Sequence, residues 1–260
     1  MATAALVTGA GTGIGRATAI RLAEEGHVLI LVGRREELLR ETCALLAGSG
    51  HHVMPVDVAD RAAFHTALAD VLGEPGQGGL ELVGVFANAG IGGANVYSED
   101  ARQDRWDEIL RINVTGVYVT LQVCKPHLVA SSNGVTHAVV TSSVLGRFGV
   151  PNQSAYVTSK TAVLGLVRSL AVEWGSEGIL VNAICPGWVE TDMARESIER
   201  MAEAQGMTYA ECHAQQCAVL PTGKMSTPEE MAEAVVWLMS PGQTGMTGQG
   251  VDVNNGSWMA

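Results

Sequence analysis

The sequence is short of basic residues. Sixteen lysines and arginines stand against 27 aspartates and glutamates, a formal net charge of −11 over 260 residues. Nucleic-acid binding needs a basic face, and an anionic membrane surface attracts lysine and arginine, so neither is an expected partner. No apolar run reaches the roughly 18 residues that a membrane span needs. No basic stretch precedes Ala4-Ala5-Leu6-Val7, so no secretory signal peptide is expected. The cysteines are few, odd in number and widely spaced: Cys43, Cys124, Cys185, Cys212 and Cys217. That pattern predicts reduced core thiols in a cytoplasmic protein rather than a disulfide framework. Cys212-His213 with Cys217 could form a metal cluster, but no second ligand pair lies at zinc-like spacing, and no metal is expected. Low-complexity linkers and internal repeats are also missing. Charged residues are only 17% of the chain and hydrophobic ones 47%, which excludes intrinsic disorder. A chain of this length can bury roughly 70–75% of its unfolded surface as one large domain.

What is present is an alternation of short β-branched runs with longer amphipathic stretches. Strands are expected at Ala4–Thr8, Val28–Val32, Val53–Val56, Leu82–Ala87, Thr136–Ser142, Leu180–Ile184 and Gly250–Val253. Helices are expected at Ile14–Glu25, Glu36–Ala47, Arg61–Leu72, Gln103–Ala130, Gln153–Ser176 and Thr227–Met239, with a Gly-rich turn at Gly73–Gly79. Val28–Val32 shows no polar alternation, as expected of a strand covered on both faces. Gly26 sits where a helix-terminating glycine belongs. Thr227-Pro228-Glu229-Glu230 is a helix-start signal. The alternation predicts an α/β fold: one doubly wound parallel sheet, a Rossmann domain spanning residues 1–260, with helices on both faces. The stretch from about Thr191 to Met225 breaks the rhythm and reads as a substrate lid inserted at the carboxyl edge of the sheet.

Many of the 31 glycines have a place in this scheme. The first strand ends Thr8-Gly9-Ala10-Gly11-Thr12-Gly13-Ile14-Gly15. Such glycines permit a tight turn and close backbone approach, and the helix that follows offers free N–H groups to a pyrophosphate. The spacing T-G-x-x-x-G-x-G differs from G-x-G-x-x-G, and with it the chain resembles the short-chain dehydrogenase/reductase family, in its branch of about 250 residues. The resemblance extends over essentially the whole chain. It implies an NAD(P)-dependent oxidoreductase. The second strand runs into Gly33-Arg34-Arg35. An acidic residue there would accept bonds from a ribose 2′-hydroxyl and select NAD, whereas guanidinium groups suit a 2′-phosphate. NADP(H) is therefore the favoured cofactor and NAD(H) the alternative. Thr12 stands where some NADP-using relatives carry a basic residue. By resemblance, Asp57 and Val58 contact adenine. Ala87-Asn88-Ala89-Gly90 matches the family's N-N-A-G except at Ala87.

Tyr156 and Lys160 lie four apart on an expected helix and so share one face. Tyrosine titrates near 10 when unperturbed, and a nearby ammonium favours phenolate, so the pair can form a proton donor and acceptor tuned downward. Ser143 lies thirteen residues before Tyr156, at the end of a strand, where its hydroxyl can meet a substrate carbonyl and the developing alkoxide. Ser142 is the alternative, on the opposite side of the strand. The family's spacing favours Ser143. The resemblance also places Asn113 as a fourth catalytic residue, holding a water that links Lys160 to solvent. After Leu180–Ile184 comes Cys185-Pro186-Gly187-Trp188-Val189-Glu190-Thr191. Here the family presents Pro186, Gly187 and Val189 to the nicotinamide, with Thr191 bonding its carboxamide. Tyr156 and Lys160 would also hold the nicotinamide ribose.

Substrate contacts are less legible. Val150, Trp188 and Met193, with Phe148, are candidate pocket walls. Met193, Ile198, Met201, Met207, Tyr209 and Leu220 in the expected lid are candidates for packing or pocket. The stretch around Trp188 resembles ketoreductases of 3-oxoacyl or polyketide carbonyls, and also hydroxybutyrate-type alcohol dehydrogenases. Arg102, Arg105, Arg147 and Arg195 are candidates for an acyl-carrier docking patch or a solvated surface. The resemblance implies a homotetramer paired through the two long helices, with Ala155, Ala162, Gly165 and Ala171 allowing close packing. A cofactor-binding regulator that has lost catalysis is the rival of a different class; retention of Asn113, Ser143, Tyr156 and Lys160 speaks against it.

Overall fold

Ala4, Ala5, Leu6 and Val7 are consecutive and fully buried, which requires both faces of their strand to be covered. The computed structural model, which describes residues 2–73, 79–94, 104–128 and 134–259, shows how. Among these residues, strands β1 (Ala2–Thr8), β2 (Val28–Gly33), β3 (His52–Pro55), β4 (Leu80–Ala87), β5 (Thr136–Thr141), β6 (Ile179–Pro186) and β7 (Gly250–Val253) form one sheet. All pairings are parallel and the order is β3-β2-β1-β4-β5-β6-β7. The helices are α1 (Gly13–Glu24), α2 (Glu36–Cys43), α3 (Arg61–Leu72), α4 (Trp106–Leu110), α5 (Val117–Cys124), α6 (Ser154–Trp174), α7 (Asp192–Gln205), α8 (Tyr209–Ala218) and α9 (Pro228–Leu238). Ala4 and Leu6 join Phe64, Leu68, Leu121, Val163 and Val167 of α3, α5 and α6 on one face. Ala5 and Val7 join Leu22, Leu39, Val235 and Leu238 of α1, α2 and α9 on the other. The two-residue alternation of a strand thus feeds two cores, and the fold is the doubly wound α/β domain expected. Strand order reverses between β1 and β4, so the crevice beyond their carboxyl ends is the natural ligand site.

Local chemistry sets most boundaries. Thr227 caps α9 reciprocally with Glu230, and Pro228 opens the first turn. Gly26 follows α1 at φ +90°, a backbone that L side chains rarely adopt. Three expected helices are altered. Glu36–Ala47 ends as a helix at Cys43. Gln153–Ser176 is Ser154–Trp174, followed by a 3-10 turn at Gly175–Glu177. Gln103–Ala130 is not one helix: α4 passes through a π turn at Arg111–Gly116 into α5, then a 3-10 turn at Lys125–His127. Pro126 brings the regular helix to its end, because it lacks an N–H and its ring clashes with the preceding turn. Gln103 and Ala130, Arg102, and residues 74–78 of the Gly73–Gly79 turn lie outside the described residues. Ala155 and Ala171 are buried within the chain, so of the four small residues expected to meet a partner helix only Ala162 and Gly165 are exposed.

The 191–225 segment carries its own small core. Ile198, Ala202, Cys212, Leu220 and Met225 are buried together, with Trp188, Met201, Tyr209 and Cys217 packed against them. It leaves and rejoins the body through one ladder: Glu190 N–H donates to the Ser226 carbonyl at 2.9 Å and Ser226 N–H to the Trp188 carbonyl at 3.0 Å.

His137 lies in β5, 4% exposed, with a buried Nδ1 that has no partner among the described residues. Burial pulls its imidazole down to about 4. The unfolded chain binds a proton near pH 6.5 and the folded chain does not. The stability is therefore whole above pH 6.5 and declines as pH falls toward 4, by about 2–3 kcal/mol for this residue. Denaturant unfolding at pH 7 and pH 4.5 should show a smaller loss in His137→Leu than in the parent. Equal losses would refute the assignment.

Candidate active site

The glycine loop is shaped by backbone proximity. Gly9 has φ +66°, and a Cβ there would lie 3.0 Å from Ala89 Cα; one on Gly15 would lie 2.2 Å from the Gly9 carbonyl oxygen. Residues 9–15 therefore turn tightly against the end of β4. Thr8 closes that contact, its hydroxyl accepting from Asn88 N–H at 3.0 Å and Ala89 N–H at 2.9 Å. Thr12 is the N-cap of α1, and among the described residues no side chain caps it; the first turn holds no acidic residue. Its N–H groups and positive dipole end suit a pyrophosphate, so the loop fits a dinucleotide. Gly13 approaches the Thr191 methyl, which brings the far end of the motif series to the same crevice.

Other positions expected at a cofactor cluster along the carboxyl edge. Arg34 and Arg35 follow β2 and are exposed. The Asp57 carboxylate accepts from Ala59 N–H at 2.9 Å and pairs with Arg111 at 3.0 Å. Burial pushes its carboxyl upward, but these two donors outweigh it and hold it below the ordinary value. Val58 is buried, wedged against Gly116 of the π turn. Pro186 ends β6, and Gly187 packs on Asn254 backbone so closely that a Cβ would lie 3.0 Å from its carbonyl oxygen. Val189 is buried. The Thr191 hydroxyl accepts from Ala194 N–H and donates to the Val189 carbonyl, so it caps α7.

Four polar side chains from three elements converge beyond β4 and β5. Tyr156 and Lys160 lie on α6, with the ammonium 5.5 Å from the phenol ring centroid. The Ser143 hydroxyl stands close enough to the Tyr156 phenol to favour its ionised form. Lys160 Nζ donates to the Thr141 carbonyl at 2.8 Å. Ser142 turns the other way and donates to the Lys160 carbonyl at 2.8 Å, which leaves Ser143 as the serine in the crevice. Asn113 sits in the π turn, fully buried. Its amide accepts from Ile91 N–H at 2.8 Å and donates to the Ile91 carbonyl at 2.9 Å and to Ser159 Oγ at 3.1 Å. Gly90 passes between Asn113 and Lys160. π turns often mark functional positions.

The electrostatics differ from the expectation at one point. Tyr156 is not tuned downward: burial pushes its phenol up, and the neighbouring Ser143 hydroxyl offsets that only in part. Lys160 is buried, and desolvation pulls its ammonium down to about 8. Desolvation is the larger influence on the phenol, which is held above its ordinary value.

Met193 reaches this cluster. Its Sδ and the Tyr156 ring flank Gly92, where a Cβ would lie 3.0 Å and 3.9 Å from them. Trp188 packs on the core of the 191–225 segment, as do Met201, Tyr209, Ile198 and Leu220. Val150 is half-buried, and Phe148 stacks on Trp258 at 5.6 Å. Arg105 is bound to Glu108 and the Gly92 carbonyl, Arg147 to Asp252 and the Gly250 carbonyl, and Arg195 to Glu199. These three are engaged locally rather than gathered as a docking patch. Sequence reading missed Gly92, which no local pattern marks, and gave Arg105 only as a docking-patch or surface candidate.

A parallel sheet reversed at β1/β4, a glycine cradle, and a Ser-Tyr-Lys-Asn cluster at its carboxyl edge define a dinucleotide-dependent oxidoreductase. Residues 9–257 match the family model described as enoyl-(acyl carrier protein) reductase. The chain is 36% identical over 255 residues to the short-chain reductase protein NovJ of Streptomyces niveus, covering 97% of this chain and 92% of that one. It is 31% identical over 262 residues to the 3-oxoacyl-[acyl-carrier-protein] reductase FabG of Staphylococcus aureus, covering 100% and 99%. A point variant of the actinorhodin polyketide ketoreductase, solved with NADPH, superposes with a TM-score of 0.87 at 34% identity over 98% and 97% of the two chains. The protein belongs to the short-chain dehydrogenase/reductase family and is an NAD(P)-dependent enzyme of it.

Proposed function

We propose that the enzyme reduces a ketone, of 3-oxoacyl or polyketide-like type, to a secondary alcohol with NADPH. The carrying observation is the half-buried Tyr156 phenol beside Ser143 and Lys160 at the mouth of the crevice, its proton held more tightly than usual by burial. Thr8, Gly9, Gly11–Gly15, Arg34, Arg35, Asp57, Val58, Asn88–Gly90, Tyr156, Lys160, Pro186, Gly187, Val189 and Thr191 would hold the cofactor, which when bound supplies hydride. Ser143 orients the carbonyl oxygen and stabilises its developing charge. Tyr156 donates its hydroxyl proton to that oxygen. Lys160 holds positive charge behind the phenol, and Asn113 fixes the Ile91 backbone beside it. Met193 and the 191–225 segment border the substrate. A likeness to ketoreductases named for 3-oxoacyl and polyketide carbonyls supports this class. The small residues Ala162 and Gly165 on the open side of α6 suit a homotetramer, and a cytoplasmic location agrees with the free thiols.

NADPH consumption should appear with 3-oxoacyl thioesters or cyclic polyketide-like ketones. Turnover confined to NAD and secondary alcohols would overturn the reading in favour of a hydroxybutyrate-type dehydrogenase. The pH profile gives a second test. Reduction should slow as pH rises through about 8, where Lys160 loses its charge. Lys160→Arg should remove that limb; a limb that stays in place would assign it to another group.

A further inference from the structure

A second nucleophilic cluster joins the 191–225 segment to Glu190, between Val189 and Thr191. His213 and Cys217 are four apart on α8 and share a face. Cys217 Sγ lies 3.8 Å from His213 Nδ1, and His213 Nε2 lies 2.9 Å from Glu190 Oε1. A carboxylate only accepts, so Nε2 carries a proton, and in the neutral ring Nδ1 then presents its lone pair to the thiol. This is the tautomer of a base, oriented by a third group, in the nucleophile–base–carboxylate order. Tyr209 lies over the imidazole with ring centroids 5.8 Å apart, limiting its rotation. Cys217 is half-buried, and the His213 side chain is 28% exposed, so a small reagent can reach them. The ring's two nitrogens face opposite ways, so the three side chains form a line rather than a cage. Among the described residues no such group could hold a metal ion.

We infer that Cys217 is a thiol-modification site, activated by His213 and Glu190, that takes low-molecular-weight disulfides. His213 Nδ1 accepts the Cys217 thiol proton as Sγ attacks one sulfur of the incoming disulfide. A new S–S bond forms, the old one breaks, and the departing thiolate takes the proton from Nδ1. The Cys217 sulfur formally gives up one electron and the departing sulfur gains it, so the exchange balances with no further oxidant. The second sulfur has to come from outside. Cys212 is five residues away, about 7.5 Å of helical rise, beyond disulfide reach, and buried in the segment's core.

The experiment is the rate of thiol release from dithiodipyridine, a neutral disulfide that the protein's negative charge does not repel, on the folded full-length chain. One thiol should react fastest, and mass spectrometry should place its adduct on Cys217. Cys43 is the other half-buried thiol and serves as internal comparison. His213→Gln should slow the Cys217 rate at least tenfold. Glu190→Gln, which keeps an acceptor but no charge, should slow it less. Unchanged thermal unfolding would separate these effects from loss of α8. Reaction of Cys217 no faster than Cys43, or a rate indifferent to His213→Gln, would overturn the inference.

Discussion

Tyr156→Phe is expected to lower turnover by about 10²- to 10⁴-fold, the contribution of a positioned general acid, with NADPH affinity nearly unchanged. Phenylalanine keeps the ring that fills the half-buried site, and Lys160 keeps its bond to the Thr141 carbonyl. What disappears is the hydroxyl beside Ser143 and the proton it carries. Burial holds that phenol neutral, the state a reductive step needs at the outset. No neighbour is placed to substitute: the Lys160 ammonium points to backbone, and the Ser143 hydroxyl also accepts from Leu145 N–H at 3.1 Å. Steady-state rates paired with cofactor titration check both halves. Turnover within tenfold of the parent would sink the assignment of Tyr156 as acid. A parallel loss of cofactor affinity would make it a binding residue.

How much of this was legible depended on range. Val28–Val32 announced a strand covered on both faces because an unbroken apolar run has no other stable place in an alternating chain. The glycine loop was readable because its physical need, a backbone without Cβ, is local. The π turn was not. Asn113 looked like an asparagine in the middle of a helix, and its reason for being there is the Ile91 backbone 22 residues earlier. The same limit applied to Tyr156. Spacing showed the lysine four residues on, but the greater influence on the phenol is burial, which only the assembled fold sets. Around α8 the adjacent Cys212-His213 pair drew attention. Yet Cys212 faces the core, and His213 aligns with Cys217 and with Glu190, 23 residues before it.

Cofactor choice is the remaining large effect. NADPH should bind at least about tenfold tighter than NADH in quenching of tryptophan fluorescence, since one charge-assisted contact contributes about 1.5–3 kcal/mol. Arg34 and Arg35 are exposed, so solvent screening places the effect near the lower end of that range. Gly33 makes the reversal testable. A Cβ there would meet Leu39 Cδ2 at 3.4 Å, an ordinary contact, so Gly33→Asp fits without displacing α2. An aspartate at the end of β2 accepts from a ribose 2′-hydroxyl and repels a 2′-phosphate. Gly33→Asp with Arg34→Ala should therefore invert the preference to NADH while leaving the Tyr156–Ser143 geometry, at the ends of α6 and β5, untouched. Tight NADPH binding directs the substrate search to ketones. Equal or tighter NADH binding by the parent would remove Arg34 from the phosphate's recognition. The search would then turn to secondary alcohols oxidised with NAD.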